Sequence, residues 1–262
     1  KGRIHGFKFR SILPEEDLKQ RGMSKYDNTN NLPKNKNPFG LTPRDQSHEK
    51  NRIVVVVEGE LDALRCIVKG VQLPIIATTG NGLTVEAVDE VKKKGFRDVI
   101  LLLDNDSSGH KFVPTSIKNI EDANLNAFVS VIPEGTGHDP DEFFKNGHSV
   151  EELTNVIGNA THARRYEYNL LIQQYGTTPS ELEYTELEER FVELISSTRN
   201  ETQRHGLLYD FSQRYGKGSV TTFEKAITEK ADKARAEQTK SEKKAKVEEA
   251  LQKALTALQK GN

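Results

Sequence analysis

The sequence is poor in three residue types: its 262 residues include one cysteine, one methionine and no tryptophan. A single cysteine excludes a disulfide framework and a zinc site built from several cysteines, and it favours a reducing, cytoplasmic setting. No apolar run is long enough for a transmembrane helix, and no segment has the pattern of a signal peptide. We therefore expect an intracellular protein that has no contact with a membrane.

Positive and negative charges are unevenly distributed, although the net charge is only -1. Residues 1–52 carry 12 Lys and Arg against 6 Asp and Glu, and residues 225–262 carry 10 against 6. Residues 53–224 carry 16 against 27, which makes this part strongly acidic. A basic segment beside an acidic one suits a polyanion bound near a cation site, and chance surface charge is the alternative.

The central part of the chain alternates short apolar runs with segments of helical periodicity. The apolar runs are RIVVVVE (52–58), LPIIAT (73–78), DVILLLD (98–104) and NAFVSVIP (126–133), and the helical segments are 60–69, 84–94 and about 109–123. Apolar strands in alternation with helices predict an α/β domain whose parallel, doubly wound sheet is covered on both faces. Ligands of such sheets bind outside the carboxyl ends of the strands.

The flanking segments predict further structure. Residues 2–12 alternate apolar and polar side chains and indicate a strand or hairpin, whereas 13–52 are rich in Asn, Lys, Pro and Gly and predict loop. Amphipathic helices are expected at 163–176, 178–197 and 201–216. We expect a basic N-terminal lobe over 1–50, the α/β domain over 51–150, a helical subdomain over 151–228 and a helical tail or linker over 229–262.

Six acidic side chains follow the carboxyl ends of predicted strands. They are Glu58 and Asp62 after the first strand, Asp104 and Asp106 after the third, and Asp139 and Asp141 after the fourth. Like charges brought this close oppose joint ionisation unless a cation neutralises them, and oxygen-only clusters suit Mg²⁺ or Mn²⁺. Two such ions could support phosphoryl transfer. Taken singly, Asp139 or Asp141 could cap a helix, and Asp104 and Asp106 could form a turn.

These acidic motifs resemble the toprim domain. The matching stretches are EGELDAL (58–64), LLDNDSSGHKF (102–112) and DPDEFF (139–144). Toprim domains occur in bacterial DnaG-type primases, in Twinkle-like primase-helicases of phages and plasmids, in topoisomerases and in some nucleases. The resemblance implies an α/β toprim fold in which Glu58, Asp104, Asp106, Asp139 and Asp141 bind Mg²⁺ or Mn²⁺, two or more ions in all. It also implies catalytic roles for Glu58, Asp62, Asp104 and Asp106.

The segments on either side of these motifs are similar to the primase members of the family. Upstream, GRIHGFKFR (2–10), KYDN (25–28) and NPFGL (37–41) resemble elements that face nucleotide and template. Carried over, the resemblance implies nucleotide or template contacts by Arg10, Lys25, Tyr26 and Asn28. It also implies a small α+β fold for the N-terminal lobe and an all-α subdomain after the toprim domain. The chain departs from the family after the D-x-D element, where Lys111 is the candidate for the missing basic role.

The resemblance implies synthesis of short RNA primers from nucleoside triphosphates on single-stranded DNA, with a replicative helicase as a possible partner. Two alternatives stay open: a toprim nuclease, and a non-catalytic module that holds single-stranded DNA and docks a helicase. The stretch TTGNGLT (78–84) has two readings as well. It could be a tight turn with Thr84 as the helix N-cap, or a cradle for phosphate.

Overall fold

The computed structural model describes most of the chain as two compact units, Lys1–Ala163 and Arg164–Asn262. The residues described are 6–29, 36, 38–41, 52–78, 82–105, 112–216, 221, 223–225 and 228. Several predictions lie outside these residues: the metal-binding and catalytic roles of Asp106, the basic role of Lys111, part of the TTGNGLT turn (79–81) and the helical tail over 229–262.

The first unit contains a five-stranded sheet. Its strands are β3 (Ile53–Val57), β4 (Ile75–Ala77), β5 (Asp98–Leu103), β6 (Asn126–Val131) and β7 (Thr161–His162). Their order is β4-β3-β5-β6-β7, and all pairings are parallel except that of β6 with β7. The four predicted strands are therefore confirmed, each ending one to two residues before its apolar run does. The short antiparallel strand β7 was not predicted.

Helices cover both faces of this sheet. They are α2 (Glu60–Lys69), α3 (Val85–Lys93), α4 (Val113–Asp122), α5 (Pro140–Lys145) and α6 (Val150–Gly158). Val55 and Val57 pack in one core with Phe143 of α5, while the alternate residues Val54 and Val56 are equally buried on the opposite face. Burial on both faces explains why the strands are apolar throughout. The predicted doubly wound α/β architecture is confirmed.

The N-terminal lobe has more regular structure than the sequence predicted. Strands β1 (Lys8–Arg10) and β2 (Tyr26–Asn28) pair antiparallel, and helix α1 (Glu15–Gln20) lies between them. The prediction of loop over 13–52 is wrong for α1 and β2. A six-residue helix carries too little periodicity to stand out, and α1 is anchored by one apolar side chain, Leu18, which is 3% exposed.

The lobe also adds to the edge of the main sheet. Phe39 forms an isolated antiparallel bridge with Ala77 of β4, with N···O distances of 3.1 and 3.0 Å. Gly40 follows with φ of 82°, and a Cβ atom there would lie 2.7 Å from the carbonyl oxygen of Ile75. Only glycine combines this backbone conformation with such a close approach.

The described residues of the second unit include the helices α7 (Ala163–Tyr175), α8 (Glu181–Ser197) and α9 (Glu201–Tyr215). Their core is aromatic, with the rings of Phe191 and Phe211 stacked at 3.8 Å. Helix α8 begins with a capping box between Ser180 and Glu183. The three helices predicted from 163 onwards are thus confirmed. Within the described residues, no helix combines the length and apolar content that crossing a membrane requires.

Candidate active site

The sheet topology brings two of the predicted acidic residues to neighbouring strand ends. Glu58 follows β3 and Asp104 follows β5, and these two strands pair in parallel register, with Val56 beside Leu101. One carboxylate oxygen of each, Oε1 of Glu58 and Oδ1 of Asp104, is shielded from solvent. Carboxylate oxygens at neighbouring strand ends are the type of ligand that divalent cations such as Mg²⁺ prefer. The site residues therefore have the chemistry that a divalent ion requires.

Asp62 lies on α2, one turn past Glu58, and is 7% exposed. The pKa of Asp62 is raised to about 6, mainly by burial and additionally by the negative charges of Asp139 and Asp141. The carboxylate accepts hydrogen bonds from the backbone N–H groups of Asp141 and Gly59, which partly offset this increase. Asp62 therefore links the turn after β3 to the start of α5.

Gly59 makes room for the Asp62 carboxylate. A Cβ atom at Gly59 would lie 2.5 Å from Oδ2 of Asp62, which is closer than any real contact allows. The backbone of Gly59 is extended, with φ of -105°, so the close approach of Asp62 is what requires glycine here. The E-G-x-x-D spacing thus has a physical reason: the glycine and the aspartate occupy one small volume.

Asp139 and Asp141 open helix α5 in different ways. Asp139 is the N-cap, and its carboxylate accepts a hydrogen bond of 2.7 Å from the backbone N–H of Glu142. Asp141 forms ion pairs with two basic side chains: Nε of Arg65 and Nζ of Lys145 each lie 2.5 Å from one of its carboxylate oxygens. Burial by itself would raise the pKa of Asp141, but hydrogen bonds from Lys145 and Arg65 and their charges lower it below its usual value.

Sequence reasoning missed Arg65 and Lys145. Lys145 stands four residues after Asp141, a spacing that favours ion pairs on a helix. This signal was available in the sequence. Arg65 reaches Asp141 across the packing of α2 against α5, and no local pattern predicts that contact.

The described part of the chain contains no group of three acidic, histidine or cysteine side chains arranged to hold a metal ion. Asp106, one of the predicted ligands, lies outside that part. The donor chemistry nevertheless fits Mg²⁺ or Mn²⁺, because carboxylate oxygens are the ligands these ions prefer. Glu58 and Asp104 are the described residues best placed to contribute such oxygens.

The hairpin of β1 and β2 brings three of the predicted nucleotide-binding residues, Arg10, Tyr26 and Asn28, to one face. Arg10 lies opposite Tyr26, and Lys8 lies opposite Asn28, so these four side chains point to the same side. Lys8 Nζ is 4.6 Å from the centre of the Tyr26 ring, and the Arg10 guanidinium is 5.8 Å away. Lys25 precedes β2, and its carbonyl accepts a hydrogen bond from Ser11. Lys8 was not singled out from the sequence.

A cavity of about 230 Å³ lies beside Glu58, between the carboxyl ends of β3 and β5 and the start of α4. Its polar lining includes Thr78 and Ser116. The hydroxyl of Ser116 accepts a hydrogen bond of 2.9 Å from the backbone N–H of Leu83. Thr84 caps α3 by accepting a hydrogen bond from Ala87, as the turn interpretation of TTGNGLT predicted. A phosphate cradle at this turn stays a prediction.

Comparison with known proteins agrees with this geometry. The family described as Toprim-like matches residues 55–144. This stretch is a toprim domain. The DNA primase of Chlamydia pneumoniae is 34% identical over 145 residues, which make up 54% of this chain and 23% of that protein. The toprim domain recognised from the sequence is thereby confirmed, and its acidic motifs all lie within the matched stretch.

Solved structures extend the likeness beyond the toprim domain. The Aquifex aeolicus primase, a structure of its zinc-binding and RNA polymerase domains, has a TM-score of 0.60 and 25% identity, covering 85% of this chain and 51% of that one. A DnaG primase catalytic domain bound to single-stranded DNA has a TM-score of 0.65 and 20% identity, covering 84% and 68%. The chain thus has the fold of the DnaG catalytic core. It spans under a third of the length of the curated primases it matches.

Proposed function

We propose that this chain is the catalytic core of a DNA primase, which synthesises short RNA primers from nucleoside triphosphates on single-stranded DNA. The proposal rests on one observation: Glu58 and Asp104 follow neighbouring parallel strands of a toprim domain. A basic hairpin face belongs to the same compact unit. The similar primases, and the related catalytic domain that was solved with single-stranded DNA, support this substrate class.

In the proposed reaction the acidic residues act on the primer and the triphosphate. Glu58, Asp104, Asp106, Asp139 and Asp141 would hold Mg²⁺ or Mn²⁺, two or more ions in all. Such ions make a hydroxyl more acidic and neutralise charge on the leaving pyrophosphate. Glu58 would serve as a ligand or accept the proton of the primer 3′-hydroxyl. Asp62 would act by holding Gly59, and hence Glu58, in place.

The hairpin face would bind the polyanionic substrates. Arg10 and Lys25 would contact phosphates, as would Lys111, while Tyr26 and Asn28 would contact a sugar or base. Asn28 supports this role, because its Oδ1 is buried and has no hydrogen-bond partner among the described residues. A ribose hydroxyl or a base N–H could satisfy that acceptor. We also propose a replicative helicase as a partner, and action on DNA in the cytoplasm.

One gel assay tests the proposed function. The protein is incubated with single-stranded DNA, labelled nucleoside triphosphates and Mg²⁺ or Mn²⁺, and the products are separated by length. We expect new short RNA, which the Asp104→Asn/Asp106→Asn variant should fail to make. Asp98→Asn is the matched control, because it changes a carboxylate at the opposite end of the same strand.

A second readout of the same gel distinguishes the alternatives. With labelled DNA in place of labelled nucleotides, shortened template that is lost in the double variant would indicate a nuclease and refute the primase proposal. Retention of DNA with neither product would favour a non-catalytic binding module. The hairpin face weighs against a nuclease, since cutting DNA requires no binding site for free nucleotides.

A further inference from the structure

An ion pair joins the N-terminal hairpin to the toprim domain. Nζ of Lys8 lies 2.6 and 2.5 Å from the two carboxylate oxygens of Glu60, which is 52 residues away in sequence. The two side chains are only 23% and 19% exposed. Pairs shielded to this degree are screened less by solvent and salt than ordinary surface pairs, so their loss is easier to measure.

The two partners lie beside residues of the proposed site without belonging to it. Glu60 is the first residue of α2, two positions after Glu58. Lys8 shares the hairpin face with Arg10, and its ammonium lies over the ring of Tyr26. Because Glu60 takes up the charge of Lys8 through both oxygens, Lys8 is poorly suited to bind a substrate phosphate.

The lobe meets the toprim domain at a second place as well. There, the backbone bridge between Phe39 and Ala77 holds the lobe to strand β4. A single attachment leaves a small element free to pivot, whereas two attachments fix its orientation. The Lys8–Glu60 pair is the attachment that includes a contact with the ring of Tyr26.

We propose that Lys8 and Glu60 are positioning residues that fix the face of Arg10 and Tyr26 relative to Glu58. This inference rests on the proposed primase function, and neither residue touches the substrate in it. Without the ion pair, the hairpin would become ordered only when nucleotide binds. The cost of this ordering would reduce the net free energy of nucleotide binding. Once nucleotide is bound, the reacting groups would be placed as before. The expected signature is a higher KM with a nearly unchanged kcat.

Charge exchange provides the test. We expect Lys8→Gln and Glu60→Gln each to raise the KM for nucleoside triphosphate about five-fold while kcat changes less than about two-fold. The exchanged variant Lys8→Glu/Glu60→Lys restores the pair and should bring KM back to within about two-fold of wild type. Lys118→Gln is the matched control: it breaks an exposed ion pair with Asp122 on α4 and should change neither constant.

The same variants are compared by equilibrium binding of ATP and of a fluorescent single-stranded oligonucleotide. Binding needs no turnover, so a five-fold loss that the exchange reverses would support the pairing even if the wild type made no primers. A fall in kcat that the exchange fails to rescue would overturn the inference and make Lys8 a catalytic residue. Unchanged constants in all variants, with thermal midpoints equal to wild type, would also overturn it.

Discussion

Replacing Asp62 by asparagine measures how much the ionisation of this buried carboxylate lowers the free energy of unfolding. Asp62 is 7% exposed, and burial together with Asp139 and Asp141 raises its pKa from 3.8 to about 6. The folded-state pKa is the higher one, so the stability that Asp62 contributes is fully present below pH 3.8 and is lost as the pH rises through 6. Each pKa unit corresponds to about 1.36 kcal/mol, so full ionisation costs the folded protein about 3 kcal/mol.

Asparagine is close in shape to protonated aspartate and stays neutral at every pH in this range. Near pH 4 the variant and the wild type should therefore have similar free energies of unfolding, and at pH 7 the variant should be more stable. From pH 4 to pH 7, we expect the free energy of unfolding of Asp62→Asn to rise relative to that of wild type by about 2 kcal/mol. This change is smaller than the full cost of ionisation, because Asp62 is already partly ionised in the unfolded chain at pH 4.

Urea unfolding followed by circular dichroism at both pH values, with a chelator present, measures this gain. Asp89→Asn serves as the control, since Asp89 is an exposed carboxylate on α3 and its replacement should have the same effect at both pH values. If the difference between Asp62→Asn and wild type stayed constant within about 0.5 kcal/mol, burial of a charge at Asp62 would be refuted.

Two further substitutions test close packing. Gly59→Ala would place a Cβ atom 2.5 Å from Oδ2 of Asp62. It should lower the free energy of unfolding by about 1–3 kcal/mol, measured by thermal unfolding, whereas Gly158→Ala has open space and should be neutral or stabilising. Phe211→Ala would remove a ring stacked on Phe191 and should cost about 3–5 kcal/mol, measured by tyrosine fluorescence in urea. A loss below about 1 kcal/mol in either case would contradict the packing described.

The sheet and the helical unit could be predicted from the sequence because each of their elements has a strong local sequence pattern. Strand β5 is a run of six residues of which five are buried, and the start of helix α8 is marked by the capping residues Ser180 and Glu183. Helix α1 gave no such signal, since it is short and Leu18 is its only buried apolar side chain.

The candidate site could be predicted only in part, because some of its contacts depend on tertiary packing. Parallel strands bring their carboxyl ends to one edge, so the neighbourhood of Glu58 and Asp104 followed from the topology. The contacts of Arg65 with Asp141 and of Lys8 with Glu60 join residues 76 and 52 positions apart. Such contacts depend on how helices and lobes pack, which no periodicity in the chain encodes.

The bridge between Phe39 and Ala77 also covers part of an exposed edge of the sheet. An edge strand with unpaired N–H and C=O groups is a template on which another chain can add a strand and start aggregation. At one edge of the sheet, Phe39 occupies the outer hydrogen-bonding groups of Ala77. At the other edge, β7 is only two residues long. A toprim fragment cut out without the N-terminal lobe would expose β4, and its tendency to aggregate should rise accordingly.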